Sequence, residues 1–206
     1  MSPGSIILLN GASSAGKTTT AQAIQRLSPR PVQLIALDQF RDGMCDRYRG
    51  MNSAAGEPGA RGLNVVPDGV VTQLHFGDIG RQTLKGMRRA AAAFASTGID
   101  VVIDDLLVEE EFLRDYLDVF RDYAVTFVGV RCDLPTLNAR ERSRPGRFPG
   151  TAAGHVELVH DGCCYDVEID TAITQPRECA KAVLAAVAEP SSPTAFERMR
   201  AVIGDR

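Results

Sequence analysis

Short runs of apolar residues alternate along the chain with longer stretches in which apolar residues recur at helical spacing. This alternation is typical of a domain in which strands and helices take turns, the α/β class. Most of the runs are almost continuously apolar, as in strands that are buried on both faces of a sheet. Five strands are predicted, the last at an edge because it alternates polar and apolar residues: residues 5–9, 33–37, 100–103, 125–130 and 165–169.

Between these strands the apolar residues return with the period of a helix that buries one side. Proline and glycine supply helix ends: Pro29 follows the first stretch and Gly98 follows the second. The last stretch is expected to form a short helix outside the main unit, packed on the domain or on a second copy of the chain, as in a homo-oligomer. Five helices are predicted, at residues 18–27, 81–95, 109–123, 177–188 and 193–203.

Two segments resist this alternation. Residues 42–76 contain six glycines and two prolines without a clear period, and residues 140–154 are rich in Arg, Gly and Pro. Long irregular segments inside compact domains are usually lids or binding loops. Both segments are therefore predicted to be irregular and functional.

Composition narrows the class of protein. The 206 residues carry a net charge of −3, and their apolar content of 44% is that of an ordinary soluble domain. Mild acidity argues against a large phosphate-neutralising surface, so nucleic acid is not expected as a partner. No apolar run reaches the ~18 residues of a membrane span, so no membrane association is expected. Five cysteines without metal-ligand spacing fit reduced thiols, and hence the cytoplasm.

The most specific motif follows the first predicted strand and opens the first predicted helix. It has the form G-x-x-x-x-G-K-[ST], in which glycines let backbone N–H groups turn toward phosphate oxygens at the positive end of a helix dipole. Lys17 is expected to contact the β- and γ-phosphates, and Thr18 to offer its hydroxyl to Mg²⁺. We call residues 11–18 the phosphate cradle. The predicted nucleoside triphosphate site consists of Gly11, Ala12, Ser13, Ser14, Ala15, Gly16, Lys17 and Thr18.

Carboxylates close two of the predicted strands, at the sheet edge where ligands bind in open α/β folds. Asp104 and Asp105 close the third strand, and Asp104 is preferred for the metal because it directly follows the apolar run. Asp38 closes the second strand and is a candidate to accept a proton from an acceptor hydroxyl. The alternative for each is a structural role as a helix N-cap.

Four arginines fall within eight residues: Arg140, Arg142, Arg144 and Arg147. Proline and glycine among them argue against a single helix face. A flexible segment that carries arginine can close over the γ-phosphate, neutralise developing charge and exclude water. The alternative is a solvated basic loop.

These features favour a small kinase with a lid. A G-protein switch needs a guanine-reading Asn-Lys-x-Asp string, which the chain lacks, and a helicase or motor needs further domains. An ATP-binding regulatory protein, whose lid signals to a partner, is the non-enzyme alternative.

Six strings of residues together resemble the chloramphenicol phosphotransferase family. Many kinases share the first, whereas the fourth and sixth are much more particular. The resemblance covers about three-quarters of the chain. The strings are residues 7–17 (ILLNGASSAGK), 37–39 (LDQ), 101–105 (VVIDD), 128–133 (VGVRCD), 159–162 (VHDG) and 165–171 (YDVEIDT).

The resemblance implies ATP- and Mg²⁺-dependent transfer of a phosphoryl group to a hydroxyl of an antibiotic-like small molecule, and hence antibiotic resistance. It implies a P-loop kinase-type fold of three layers: a five-stranded parallel sheet with helices on both faces, and an Arg-rich lid. It places the base on Asp38 and the phosphate-contacting lid arginines on Arg144 and Arg147. Arg140 and Arg131 also match family arginines, and Arg140 is predicted to bind the nucleotide.

The predicted kinase domain covers residues 1–190, with a lid at about 140–154 and an acceptor-binding region at about 39–80. Residues 191–206 are predicted to form a helical extension beyond the point where the family ends. Much of the acceptor-binding region matches the family poorly. The acceptor is therefore left open among chloramphenicol, another hydroxylated metabolite, a sugar, a nucleoside and a nucleotide-sugar.

Overall fold

The computed structural model describes residues 2–144 and 148–204. Strands in this part of the chain are β1 (Ile6–Asn10), β2 (Val32–Ala36), β3 (Arg49–Met51), β4 (Leu63–Asp68), β5 (Val71–Phe76), β6 (Asp100–Asp105), β7 (Val125–Arg131) and β8 (Val167–Asp170). Its α-helices are α1 (Lys17–Leu27), α2 (Leu37–Asp42), α3 (Pro58–Arg61), α4 (Asp78–Ser96), α5 (Glu110–Val119), α6 (Leu134–Arg142), α7 (Thr151–His155), α8 (Pro176–Ala188) and α9 (Ala195–Gly204). All five predicted helices are present, although α5 ends at residue 119 instead of 123.

Five strands form the central sheet, all parallel and in the order β2-β6-β1-β7-β8. The predicted five-stranded parallel sheet is therefore confirmed. The strand predicted at an edge, β8, does lie at an edge. The middle strand is β1, and all five of its residues are buried, which explains why its sequence is almost continuously apolar.

Two successive side chains at the end of β6 show that helices cover both faces of this sheet. Asp104 accepts a hydrogen bond from Thr18 at the start of α1, whereas Asp105 accepts one from Tyr116 of α5. Because neighbouring residues of a strand point to opposite faces, α1 and α5 lie on opposite sides. The predicted three layers are thus confirmed. Among the described helices, none is both long and apolar enough to cross a bilayer.

Residues 42–76 were predicted to be irregular, but they contain a second sheet of three strands in the order β3-β4-β5. Strands β3 and β4 are parallel, and β4 and β5 form an antiparallel hairpin with Gly69 (φ +62°) in its turn. A Cβ on Gly62 would overlap the carbonyl oxygen of Tyr48. The prediction is wrong because abundant glycine, a usual mark of loops, here permits close backbone packing.

Helix α6 occupies the start of the predicted lid. Asp133 caps its N-terminus, and Leu137 supplies its apolar contact with the core. One apolar contact is too little to produce a helical period in the sequence. Arg140 and Arg142 therefore lie in the last turn of a helix, contrary to the prediction of an irregular segment.

The C-terminal helix α9 packs on the domain, one of its two expected positions. Phe196 and Met199 are buried in the same apolar cluster as the central strands. The Phe196 ring packs edge-on against Phe127 of β7, with ring centroids 5.6 Å apart. Asp166 holds the start of the helix, since its Oδ1 accepts a hydrogen bond from Ala195 N at 2.7 Å.

Replacing Phe196 by alanine tests this packing. The substitution would leave a cavity beside Phe127, so we expect the free energy of unfolding to fall by about 3 kcal/mol. Val202 lies on the same helix but is 60% exposed, and Val202→Ala should change that free energy by less than about 0.5 kcal/mol. Denaturant-induced unfolding followed by circular dichroism measures both. Equal losses for the two variants would contradict the described packing.

Candidate active site

The phosphate cradle has the backbone shape of an anion site. Gly11 directly follows β1 and lies so close to β7 that a Cβ would be 2.5 Å from Val130 O. Gly16 has φ +90° and Ser14 has φ +62°, both in the left-handed region. These turns lead the chain into the N-terminus of α1, whose first N–H groups have no acceptor within the helix.

The Lys17 ammonium is buried against the cradle itself. Its Nζ donates hydrogen bonds to the carbonyl oxygens of Gly11 (2.8 Å) and Ala12 (2.9 Å), and it lies 3.8 Å from Asp104 Oδ1. The Thr18 hydroxyl donates to Asp104 Oδ2 at 2.5 Å. The two residues that the motif assigns to phosphate and metal therefore meet at one carboxylate.

Asp104 faces the cradle, whereas Asp105 is engaged on the other face of the sheet. The two oxygens of Asp105 accept hydrogen bonds from Leu106 N (2.7 Å) and from the Tyr116 hydroxyl (2.6 Å). The pKa of Asp104 is raised above its ordinary value, because the effect of burial exceeds the opposing effects of the Lys17 ammonium and the Thr18 hydroxyl. Neither carboxylate caps α5, because the N-cap of that helix is Glu109.

Asp38 lies in the first turn of α2, two residues beyond the end of β2 rather than at the strand end itself. It is not the N-cap of this helix, because that position belongs to Ala36. Its carboxylate pairs with Arg41 at 2.9 Å, and its side chain is 38% exposed on the wall of a cavity. The charge of Asp38 also raises the pKa of Asp104, so the two carboxylates belong to one electrostatic site.

The arginines of the predicted lid occupy different places. Arg140 donates to the carbonyl oxygen (2.6 Å) and the hydroxyl (3.0 Å) of Thr171, and to Ser14 O of the cradle at 3.5 Å. Arg144 is exposed and lines the cavity. Arg147 lies outside the described residues.

One cavity of about 480 Å³ brings the cradle, Asp38 and Asp104 together with the second sheet. This volume is that of a site for a drug-sized ligand. The charged residues along the second sheet side are Arg41, Asp42, Asp46 and Arg49. A neighbouring surface, which we call the apolar wall, consists of Met51, Leu63, Val65, Leu74 and Phe148.

The apolar wall was not foreseen residue by residue, although it falls mostly within the expected acceptor-binding region. A usable signal exists: the string Pro67-Asp68-Gly69 stands between two apolar runs, which is the pattern of a β-hairpin. Recognising the hairpin would have predicted β4 and β5 and the alternation that aims Leu63 and Val65 to the same face.

Hydrogen bonds connect the C-terminal end of the predicted lid to the second sheet. Thr72 N donates to Gly150 O at 3.0 Å, and His155 Nε2 accepts from Leu74 N at 3.3 Å. Burial lowers the pKa of His155, which keeps the ring neutral and able to accept. Glu141 at the end of α6 accepts from Gly150 N at 2.8 Å. The sequence offers no local signal for the contacts of Thr72 and Leu74, because their partners are far apart along the chain.

A polar network secures the strand end from which the cradle starts. The Asn10 side chain donates to the Tyr165 hydroxyl (2.9 Å) and to Val159 O (2.5 Å), and it accepts from Leu107 N (3.1 Å). His160 Nδ1 lies 2.6 Å from the same hydroxyl, and burial lowers the pKa of His160 to about 4. Apart from Leu107, these residues belong to strings that carry the family resemblance, and in the structure they fix the end of β1.

The residues present fit both magnesium and a triphosphate. The described residues contain no group of three or more Asp, Glu, His or Cys side chains that could hold a metal ion. Mg²⁺ does not require one, because it retains water and phosphate ligands and takes only one or two from the protein. The contact between Thr18 and Asp104 provides such a pair. The Ser14 hydroxyl is buried without a hydrogen-bond partner among the described residues, which suits a loop completed by phosphate oxygens.

Comparison with known sequences agrees with this geometry. Residues 4–188 match the family described as "Chloramphenicol phosphotransferase-like protein". Two relatives, from the CDC 1551 and H37Rv strains of Mycobacterium tuberculosis, are each 32% identical over 201 residues, which is 97% of this chain and 89% of theirs. Both carry the name "Putative O-phosphotransferase".

Several solved structures, among them two kinases, resemble the fold. The APS kinase of Mycobacterium tuberculosis, in complex with AMPPNP and APS, has a TM-score of 0.62 at 16% identity over 92% of this chain and 99% of that one. The gluconokinase of Sinorhizobium meliloti has a TM-score of 0.58 at 17% identity, over 93% of this chain and 95% of that one. The tunicamycin resistance protein of Deinococcus radiodurans has a TM-score of 0.60 at 17% identity, over 89% of this chain and 95% of that one. At these identities the likeness shows the fold alone, which is that of the P-loop kinases.

His160 predicts a pH dependence of stability. The folded protein keeps the ring uncharged down to about pH 4, whereas the unfolded chain binds a proton near pH 6.5. Since the unfolded state binds more protons in this range, the free energy of unfolding falls as the pH drops from about 6.5 to about 4. In His160→Asn this fall in the free energy of unfolding should be smaller by on the order of 1–2 kcal/mol. The effect stays below what the full pKa shift implies, because the half-buried ring keeps part of its hydration.

Denaturant unfolding across this pH range measures the effect. The asparagine side chain retains an acceptor near the position of Nδ1, so the contact with the Tyr165 hydroxyl can persist. His75 is exposed, and His75→Asn serves as the matched control. An unchanged pH dependence in His160→Asn would contradict the assignment.

Proposed function

The chain belongs to the family of chloramphenicol phosphotransferase-like proteins, and we propose that it transfers the γ-phosphate of ATP to a hydroxyl group of a small molecule. The observation that carries this proposal is a single cavity in which the phosphate cradle, Asp104 and Asp38 border the apolar wall. Donor and acceptor can then occupy adjoining parts of one space, as direct transfer between them requires.

The donor side is the phosphate cradle. In the proposed complex its amides bind the phosphates, and Lys17 turns from the loop carbonyls to the β- and γ-phosphates. Arg140, next to the cradle, belongs to the nucleotide side. Arg144 at the cavity, together with Arg147, contacts the transferring group and offsets its charge.

Thr18 and Asp104 would hold magnesium. When bound, the ion neutralises charge on the phosphate oxygens and so lowers the barrier to attack. Asp105 is not proposed as a ligand, because both of its oxygens are hydrogen-bonded to Leu106 N and to the Tyr116 hydroxyl.

Asp38 is the proposed base. Its carboxylate accepts the proton of the acceptor hydroxyl as that oxygen forms a bond to the γ-phosphorus, and the bond from the γ-phosphorus to the bridging oxygen of ADP breaks. The ion pair with Arg41 at 2.9 Å restrains the carboxylate. Such restraint reduces the entropy lost when the base is oriented toward the hydroxyl.

The proposed acceptor is an uncharged molecule with an apolar body. The apolar wall offers contact area for such a body. Arg144 is assigned to the transferring group, and the other two arginines of the cavity are already paired. Arg41 contacts Asp38 and Asp42, and Arg49 contacts Asp46. An anionic acceptor would have to displace a carboxylate from one of these arginines, which costs electrostatic energy. A hydroxylated antibiotic of the chloramphenicol type fits this description and would be inactivated by phosphorylation.

The proposed setting is the cytoplasm. All five cysteines are free thiols, as expected in a reducing compartment. The same compartment supplies ATP, which the proposed reaction consumes.

Asp38→Asn tests the base. The amide keeps the shape of the side chain but cannot accept the proton, so kcat should fall at least ~100-fold while the affinity for ATP stays within about twofold. Lys17→Ala should instead weaken ATP binding itself. Turnover in a coupled ADP assay and titration calorimetry with ATP separate the two effects.

Asp78→Asn is the matched control for Asp38→Asn. Asp78 is an exposed carboxylate that pairs with Arg61 at 2.6 Å and does not line the cavity, so its removal should leave turnover unchanged. Loss of ATP affinity with normal turnover in Asp38→Asn would contradict the role of Asp38.

A panel of acceptors tests the substrate class. Purified protein with ATP and Mg²⁺ is incubated with chloramphenicol, a nucleoside, a neutral sugar, a nucleotide-sugar and a sugar acid, and each acceptor is examined for the mass of one added phosphoryl group. We expect transfer to uncharged acceptors with an apolar part. Transfer to the anionic acceptors alone would contradict the charge argument, and ATP binding without transfer to any acceptor would favour a regulatory protein.

A further inference from the structure

Three buried polar side chains behind the cavity connect two helices to the end of β6. Arg88 of α4, Tyr116 of α5 and Asp105 of β6 are each at most 1% exposed. The guanidinium carbon of Arg88 lies 4.8 Å from the centre of the Tyr116 ring. The Tyr116 hydroxyl donates to Asp105 Oδ2 at 2.6 Å. The proposed reaction gives none of the three a role.

Asp105 anchors the turn that follows β6. Its Oδ1 accepts a hydrogen bond from Leu106 N at 2.7 Å, and the next amide, Leu107 N, donates to Asn10 Oδ1 at 3.1 Å. Asn10 directly precedes the phosphate cradle. The turn is therefore held between α5 on one side and the start of the cradle on the other, and Asp104 lies at its beginning.

The Tyr116 hydroxyl matters because a buried carboxylate is costly unless donors surround it. Arg88, which is held by Asp115 at 3.1 Å, places a positive charge above the Tyr116 ring and strengthens the hydroxyl as a donor. Without this hydroxyl the Asp105 carboxylate would turn toward water in the cavity, which it also borders. Asp104 shares the same strand end, so such a turn would displace it.

We propose that Tyr116 is a positioning residue for the metal–nucleotide site: through Asp105 it fixes the strand end that presents Asp104. This inference rests on the proposed function, and specifically on magnesium held by Thr18 and Asp104. Removing a group in direct contact with a metal ligand commonly costs 10–100-fold in metal affinity. Tyr116 acts one residue further away, through Asp105, so the expected loss is at the low end of that range. A hydroxyl in the core between α5 and β6 thus contributes to nucleotide binding at the opposite face of the sheet.

Tyr116→Phe tests the proposal, because it removes one oxygen and keeps the ring under Arg88. Titration calorimetry is performed with ATP in the presence of Mg²⁺ and with ATP in the presence of a chelator. We expect the affinity for Mg²⁺·ATP to fall by about tenfold, and the affinity for metal-free ATP to stay unchanged. Hydrogen exchange of the amides in residues 104–107 should become faster in the variant.

Tyr123→Phe is the matched control. The Tyr123 hydroxyl also donates a hydrogen bond, to Ala92 O at 3.2 Å, but it has no contact with Asp105. Its removal should leave both affinities unchanged. Asp105→Ala removes the same contact from the other partner and should reproduce the selective loss, which keeps the proposal testable if Tyr116→Phe does not fold.

The outcomes separate the positioning role from a structural one. Selective loss of Mg²⁺·ATP affinity in both variants, with a folded protein by circular dichroism, supports the proposal. Equal loss with and without Mg²⁺, or no loss at all, overturns it while leaving the proposed function intact. A wild-type protein that binds no Mg²⁺·ATP overturns the proposed function and this inference together.

Discussion

Two adjacent carboxylates at the end of β6 join the candidate site to the rest of the molecule. A strand directs successive side chains to opposite faces, so Asp104 reaches the start of α1 while Asp105 reaches Tyr116 on α5. One carboxylate is thereby available to a ligand and the other is consumed by the core. A shift of β6 by one residue relative to β1 would exchange the faces to which the two carboxylates point. The contact with Thr18 at the cradle and the contact with Tyr116 in the core would then both be lost.

The charges of the cradle are balanced internally in the described structure. The Lys17 ammonium donates hydrogen bonds to two loop carbonyl oxygens, and the Thr18 hydroxyl donates one to Asp104. A triphosphate would replace these contacts rather than fill a bare positive site, so its affinity is a difference between two sets of hydrogen bonds. The charge of Asp38 near Asp104 adds to the negative potential, which makes a cation with the nucleotide electrostatically favourable.

The parts that could be predicted from the sequence depend on neighbours along the chain. The cradle and the strand that precedes it follow from local order, and the position of Asp104 on the cradle side of β6 follows from strand alternation. The second sheet was missed because the segments between its strands are rich in glycine, and because the Pro67-Asp68-Gly69 turn was not used. The contacts of Thr72 with Gly150, and of Leu74 with His155, join segments distant in the chain. No local pattern encodes such contacts.

The same distinction separates the donor half of the site from the acceptor half in how strongly the backbone constrains their residues. Backbone sterics constrain the cradle, since a Cβ on Gly11 would be 2.5 Å from a β7 carbonyl oxygen. The apolar wall instead consists mostly of side chains on strands, and main-chain amides hold these strands in place, such as Thr72 N, which donates to Gly150 O, and Leu74 N, which donates to the His155 ring. Main-chain bonds of this kind are largely indifferent to the side chains that the strands carry. The wall can therefore change its chemistry, and with it the acceptor, without moving relative to the cradle.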